Sequence, residues 1–381
     1  MSSLAVYVHF PFCLSICPYC DFDRQASGFD RVDAYLAAVR AELGQSPREP
    51  VHSVFFGGGT PSLMRPDQVE LLLDSIASRF ELISDAEVTL ECNPGDADLD
   101  KLHGLRAAGV NRLSIGVQSL DDAYLQVLGR RHSSETARHA ATLAQRAGFN
   151  CNLDFMFGLP SQSVGHWQAT LEEAITLQPD HLSCYLLTVD KKVPLGRDVA
   201  AGRLVLPDED DLAAMYDLTR ERLGAAGYEQ YEISNWARPG RSCRHNLTYW
   251  RDEPWIGVGA GAASSYQGRR WKNTPMLERY IRSVEETGQA SRAEDEWPDL
   301  PTRMLDFLAL GLRLREGISL SEFRTRFGVD PNTEELVALG VLRRDGDRLL
   351  IPTEYQLVTN EILVRLDQAL RETSSPQSAA R

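Results

Sequence analysis

Three cysteines stand close together near the start of the chain, Cys13, Cys17 and Cys20, in a C-x3-C-x2-C spacing. Thiolates are the usual ligands of iron–sulfur clusters, and a four-iron cubane ordinarily takes four of them. Three thiolates from one loop can hold three corners and leave one iron open to a small chelating ligand. A zinc site or a redox pair competes with this reading, because Cys17 and Cys20 alone spell C-x-x-C. No second ligand pair follows at comparable spacing, which counts against zinc.

Other chemically useful groups recur downstream, each at the carboxyl end of an apolar run. Gly57-Gly58-Gly59-Thr60 allows a ligand close to backbone amides. Glu91, then Gln118 with Arg130 shortly after, then Asp154 add two carboxylates, an amide and a guanidinium, and Ser183 and Tyr185 follow. Singly, each would be a turn, a cap or a solvated side chain. Together, at successive strand ends, they could line one ligand-binding mouth.

The elements that must position these groups alternate. Leu4–Val8, Val51–Phe56, Glu87–Cys92, Arg112–Val117, Asn150–Phe157 and His181–Leu187 read as strands. Between and after them run helices at Arg31–Leu43, from Pro66, at Leu99–Ala108, Ser134–Ala147 and Val164–Leu177, and from about Asp208 to Ala226. Such alternation implies an α/β fold with a parallel sheet, and six units make an incomplete barrel. Functional groups in such a barrel gather at one mouth, at the strand carboxyl ends.

The cysteine spacing with Tyr19 directly before the third cysteine, and Tyr7, His9, Pro11 and Phe12 before the first, resembles the radical S-adenosylmethionine (radical SAM) superfamily. Within it the string is similar to the branch of the oxygen-independent coproporphyrinogen III oxidases and the HemW-type heme chaperones. The likeness spans roughly residues 5–270. It implies a partial (β/α)6 radical SAM barrel, a 4Fe-4S cluster on Cys13, Cys17 and Cys20, and S-adenosyl-L-methionine (SAM) on the open iron. It also implies that Gly58, Gly59 and Thr60 lie along the SAM methionine portion and that Tyr19 packs near the cluster and adenine. Tyr7, Glu91, Gln118, Arg130 and Asp154 fall at positions that contact SAM or a second cofactor site in that branch.

Two departures separate the chain from the oxidases. Phe22 stands where they carry a further cysteine, and Tyr7 comes too early for the arm that holds their substrate. Both point to the chaperone type. Arg244-His245-Asn246-Leu247-Thr248-Tyr249-Trp250 matches the HNxxYW motif of that group, which makes His245 the first choice for contacting heme. The alternative is a hydrogen-bonded loop histidine with Tyr249 and Trp250 in the core; Cys243 and His132 are further candidates for the iron. The resemblance thus implies a heme chaperone that binds the cluster, SAM and heme and passes heme to apo-hemoproteins. A radical SAM oxidoreductase acting on coproporphyrinogen III or another tetrapyrrole is the alternative reading.

Residues 1–235 are expected to form the barrel, 236–300 a connecting region with the HNxxYW motif and a linker at Gln289–Pro301, and 301–372 a small winged-helix-like α+β domain. Residues 373–381 read as a disordered tail. The winged-helix outline invites a third reading, a DNA-binding regulator that senses through its cluster. The net charge of -14 argues against nucleic acid as a partner and against a broad anionic-membrane surface. Any membrane association is expected to be peripheral, through recipient proteins. No secretory signal or spanning apolar run is visible, and four scattered cysteines beside the clustered three suit a reducing, cytoplasmic setting.

Overall fold

The computed structural model describes residues 4–373, so the tail beyond Thr373 lies outside the described residues. Six strands lie side by side in chain order and run parallel: β1 (Leu4–Phe10), β2 (Pro50–Gly58), β3 (Glu81–Cys92), β4 (Arg112–Gln118), β5 (Asn150–Phe157) and β6 (His181–Leu186). β1 is buried along nearly its whole length, as its unbroken apolar run requires of a strand covered on both faces.

Helices cross between these strands: α1 (Val32–Leu43), α2 (Pro66–Arg79), α3 (Leu99–Ala107), α4 (Asp122–Val127), α5 (Ser134–Arg146) and α6 (Val164–Thr176). After β6 come α7 (Pro194–Ala200) and α8 (Glu209–Ala225). Their boundaries follow local chemistry. Pro66 opens α2, where its missing N–H costs nothing. Ser133, Ser163 and Asp208 cap α5, α6 and α8, each side chain accepting a backbone N–H three residues on.

The sheet continues past both edges of this core. β7 (Glu229–Glu232) and β8 (Asn235–Ala237) form an antiparallel pair on the β6 edge. After α9 (Arg244–Trp250), β9 (Trp255–Val258) pairs parallel with β1, followed outward by β10 (Ala263–Tyr266), β11 (Arg269–Asn273) and β12 (Arg292–Glu296). The result is one twelve-stranded sheet. The stretch expected as a linker therefore contains a strand. Acidic residues there are compatible with pairing because Asp295 is held by Arg269 on the adjacent strand β11 and by Arg292 on its own strand. Between β11 and β12, α10 (Leu277–Thr287) packs on α1, with Tyr280 donating to Glu42 at 2.6 Å.

The last unit has its own core, around Phe307, Leu308, Phe323, Leu349 and Leu366. It runs α11 (Leu300–Gly311), β13 (Ile318–Ser319), α12 (Leu320–Phe327), α13 (Glu334–Ala338), β14 (Arg343–Asp345), β15 (Arg348–Leu350) and α14 (Thr359–Thr373), with a three-stranded antiparallel sheet. This is the winged-helix-like outline. It is tied to the barrel by Arg315 N–H to Tyr231 O at 3.0 Å and by Arg326 to Asp252 at 3.2 Å. Among the described residues no helix is long and apolar enough to cross a membrane.

Candidate functional site

A cavity of about 510 Å³ opens at the carboxyl ends of β1 to β6. Its wall brings together Cys13, Cys17 and Cys20, Tyr19, Gly58, Gly59 and Thr60, Glu91, Gln118, Arg130 and Asp154. The thiols are free and half-buried. Burial pushes the Cys13 and Cys20 thiols up, opposed by a hydrogen bond from Thr60 to Cys13 and by the Arg24 charge. Thr60 Oγ1 donates to Cys13 Sγ at 3.3 Å, and Arg130 reaches Cys17 Sγ at 3.7 Å.

Close packing joins the cysteine loop to the strand ends. A Cβ on Gly59 would lie 2.8 Å from the backbone of Phe10 and Phe12, so only glycine lets β2 end against the start of the loop. Gly129 has φ 63, and a side chain there would meet Pro18 at 2.6 Å. On the far side, Leu195 of α7 donates its N–H to Pro18 O at 2.9 Å.

The mouth holds two half-buried carboxylates. Glu91 accepts the Gly58 N–H at 3.1 Å; Asp154 accepts from Ser114 at 2.8 Å and Asn152 at 2.9 Å. Burial and the neighbouring Asp154 push Glu91 up to about 8, and burial raises Asp154 against its hydrogen bonds. No basic side chain forms an ion pair with either among the described residues. Arg130 donates to Asn93 at 2.6 Å and to Gly116 O at 2.8 Å, while its Nε is buried without a partner. Gln118, at the end of β4, takes φ 65 where the register with β5 shifts, a conformation uncommon for a side-chain-bearing residue and frequent at functional sites.

These residues fit the groups that the sequence implies. Three unpaired thiols on one wall match the donor set of a cubane with an open iron. Two carboxylates lacking a cation and a guanidinium with an orphaned N–H suit a ligand carrying both an ammonium and a carboxylate. Arg24, Ser114, Met156 and the side chain of Asn93 also belong to this wall. Arg24 had a legible signal, a basic residue beside thiolates; the others are recognisable only through the strand register.

Two residues are placed elsewhere. Tyr7 lies one layer below the mouth, stacked on Phe55 at 6.2 Å and hydrogen-bonded to His9 at 3.2 Å, and does not line the cavity. His245 sits at the opposite end of the barrel, where α9 plugs the floor. The two carboxylate oxygens of Glu87 accept the N–H groups of Arg244 and His245 at 3.0 Å, fixing the start of that helix. The imidazole is 1% exposed, with Nδ1 on Ser53 at 3.0 Å and Nε2 on Tyr249 at 2.8 Å. With both nitrogens engaged and no open face, His245 is not offered to heme in this arrangement. The physical reason is its i, i+4 relation to Tyr249 on a buried helix.

Comparison with known proteins agrees with this anatomy. The Radical SAM superfamily profile matches residues 7–174, and that of the HemN C-terminal domain matches residues 299–354. The heme chaperone HemW of Bacillus subtilis is 34% identical over 370 residues, 94% of this chain and 97% of its own. That of Escherichia coli is 36% identical over 381 residues, with the same coverage. The coproporphyrinogen III oxidase HemN from Escherichia coli, a radical SAM enzyme, superposes with a TM-score of 0.83 at 23% identity, covering 96% of this chain and 90% of its own, a likeness of fold. The radical SAM barrel, the HemN-type C-terminal domain and near-full-length identity to heme chaperones lead to one conclusion: the chain belongs to the HemW family of the radical SAM superfamily.

Proposed function

We propose that this protein is a heme chaperone that holds a 4Fe-4S cluster on Cys13, Cys17 and Cys20, binds SAM in the barrel mouth, and carries heme to apo-hemoproteins. The observation that carries the reading is the convergence of three free thiols and two half-buried carboxylates without an ion-pair partner on one cavity, in a chain whose near-full-length relatives are named heme chaperones. When bound, the cluster supplies an open iron able to chelate the amino and carboxyl groups of SAM.

The chain's own residues do the rest. Glu91 and Asp154 would hold the SAM ammonium, whose charge would in turn favour their ionised forms. Arg130, whose Nε has no partner, would meet its carboxylate, while the Gly58 and Gly59 amides are already donated to Glu91 and to Phe10 O. Gln118 is held by its backbone for contact with the ribose or base. Tyr19 covers the cluster side, packed among Leu128, Leu159 and Leu195. Phe22 is 61% exposed at the rim and presents an apolar ring where the oxidases carry a further cysteine, which favours cargo binding over porphyrinogen chemistry.

Anaerobic reconstitution followed by two parallel assays tests this. Heme uptake and delivery to an apo-hemoprotein are expected, without decarboxylation of coproporphyrinogen III. Steady conversion of that porphyrinogen would replace the chaperone reading with the oxidoreductase one.

A further inference from the structure

Resting on the heme-chaperone reading above, we infer that His132 is the axial ligand of the heme iron, with the heme lying across the rim of the barrel mouth. His132 lines the cavity. Its Nε2 lies 3.1 Å from Val117 O. A carbonyl can only accept, so Nε2 carries the proton and donates it. The lone pair therefore sits on Nδ1, which has no hydrogen-bond partner among the described residues. An imidazole that gives one N–H to a backbone carbonyl and leaves the other nitrogen open has the arrangement of a metal-ligating histidine. Burial and the nearby Arg130 charge push His132 down to about 4, so the ring is neutral at ordinary pH. By contrast, His9, His181 and His245 inside the barrel have both ring nitrogens engaged.

The same rim supplies the remaining needs of a flat, dianionic macrocycle. Leu14, Ile16 and Phe22 are 47%, 48% and 61% exposed, an apolar surface on the cysteine loop facing the same cavity. Arg131, beside His132, is exposed on that cavity and makes no ion pair or hydrogen bond among the described residues. It is free to meet a propionate. Heme on this rim would lie above the deeper Glu91 and Asp154, leaving the SAM subsite beneath it.

The test titrates ferric heme into the reconstituted full-length protein and reads the ligand by magnetic circular dichroism. The wild type is expected to show histidine ligation. His132→Gln keeps an N–H donor for Val117 O but lacks the imidazole. It should keep its cluster absorbance, lose the histidine signature and bind heme about tenfold or more weakly, and added imidazole should restore the signature. Arg131→Ala should weaken heme binding by about threefold with the signature intact. A His132→Gln variant with wild-type heme spectrum and affinity would overturn this assignment while the chaperone reading stands. A wild type that binds no heme would overturn both.

Discussion

The two ends of the barrel are both polar and both furnished with histidine and carboxylate, yet they are finished differently. At the floor, His245 is engaged at both nitrogens, His181 lies between Asn152 at 2.6 Å and Tyr231 at 2.9 Å, and Glu87 accepts from α9 and from Cys243. At the mouth, Glu91 and Asp154 form no ion pair among the described residues, with only the Arg112 charge acting on Asp154, Arg24 and Arg130 each leave a buried Nε without a partner, and His132 leaves Nδ1 open. Buried polar groups in folded proteins are nearly always satisfied. An end that satisfies itself is structure; an end left unsatisfied is arranged around something else. The contrast has exceptions away from the mouth: Arg112 Nε and Thr89 Oγ1, register partners on β4 and β3, Asn150 Oδ1 at the start of β5, and Trp250 Nε1 at the end of α9.

Substitutions can break that comparison, beginning with the largest effect. Cys13→Ser, Cys17→Ser or Cys20→Ser should each abolish the broad visible absorbance of the anaerobically reconstituted protein, whereas Cys243→Ser at the floor should retain it. The reverse pattern would mean that the wrong end had been assigned to the cluster. Next, Glu91→Ala or Asp154→Ala should weaken SAM binding by about 1.5–3 kcal/mol, ten- to a hundredfold, read by calorimetric titration. Unchanged titrations for both would remove the mouth as the SAM site.

His245→Ala sharpens the contrast from the other side. It strips partners from Ser53 and Tyr249 and should lower the unfolding free energy by about 1–3 kcal/mol, measured in urea. SAM affinity should stay within about twofold; a larger loss would couple floor to mouth. The smallest effect concerns pH. Glu91 is raised from 4.5 to about 8, so the folded chain keeps a proton that the unfolded chain has lost. The stability this contributes is complete below pH 4.5 and disappears as pH climbs through about 8. Glu91→Gln should flatten that part of the melting-temperature profile, and an identical slope in the variant would contradict the assignment.

Much of this was readable from residue order. The six β–α alternations were legible because their strands are apolar runs or alternate apolar with polar residues, and their helices carry three- and four-residue spacing. The cysteine loop was legible because its ligands are local. The strands that extend the sheet were not. Glu229–Glu232 and Arg292–Glu296 are short and polar; the first becomes a strand by pairing with β8, which is itself held by the distant β6, and the second by pairing with β11. The α10 stripe of Leu277, Tyr280, Ile281 and Val284 was available in the sequence and is read as a helix only in the structure. His245 shows the limit for sites. Its motif announces chemistry, but the burial that saturates the ring depends on Ser53, a residue far away on β2. His132 makes the converse point, since its hydrogen bond to Val117 O depends on where the chain turns after β4.

The register of β1 also governs the order in which this protein can be completed. The strand that ends in the cysteine loop has β2 on one side and β9 on the other, with Ala5 opposite Trp255. At roughly 5–20 residues per second of synthesis, the second neighbour follows the first strand by on the order of 10–50 s. During that interval the ligand-bearing loop hangs on a strand paired along one edge only, with its thiols exposed to oxidants and to stray metals. Iron retention by ribosome-held chains released before and after Val258 reads this order directly, with firm retention expected only in the longer ones. A cluster held on Cys13, Cys17 and Cys20 would then stay firmly only once β9 has closed the sheet on β1.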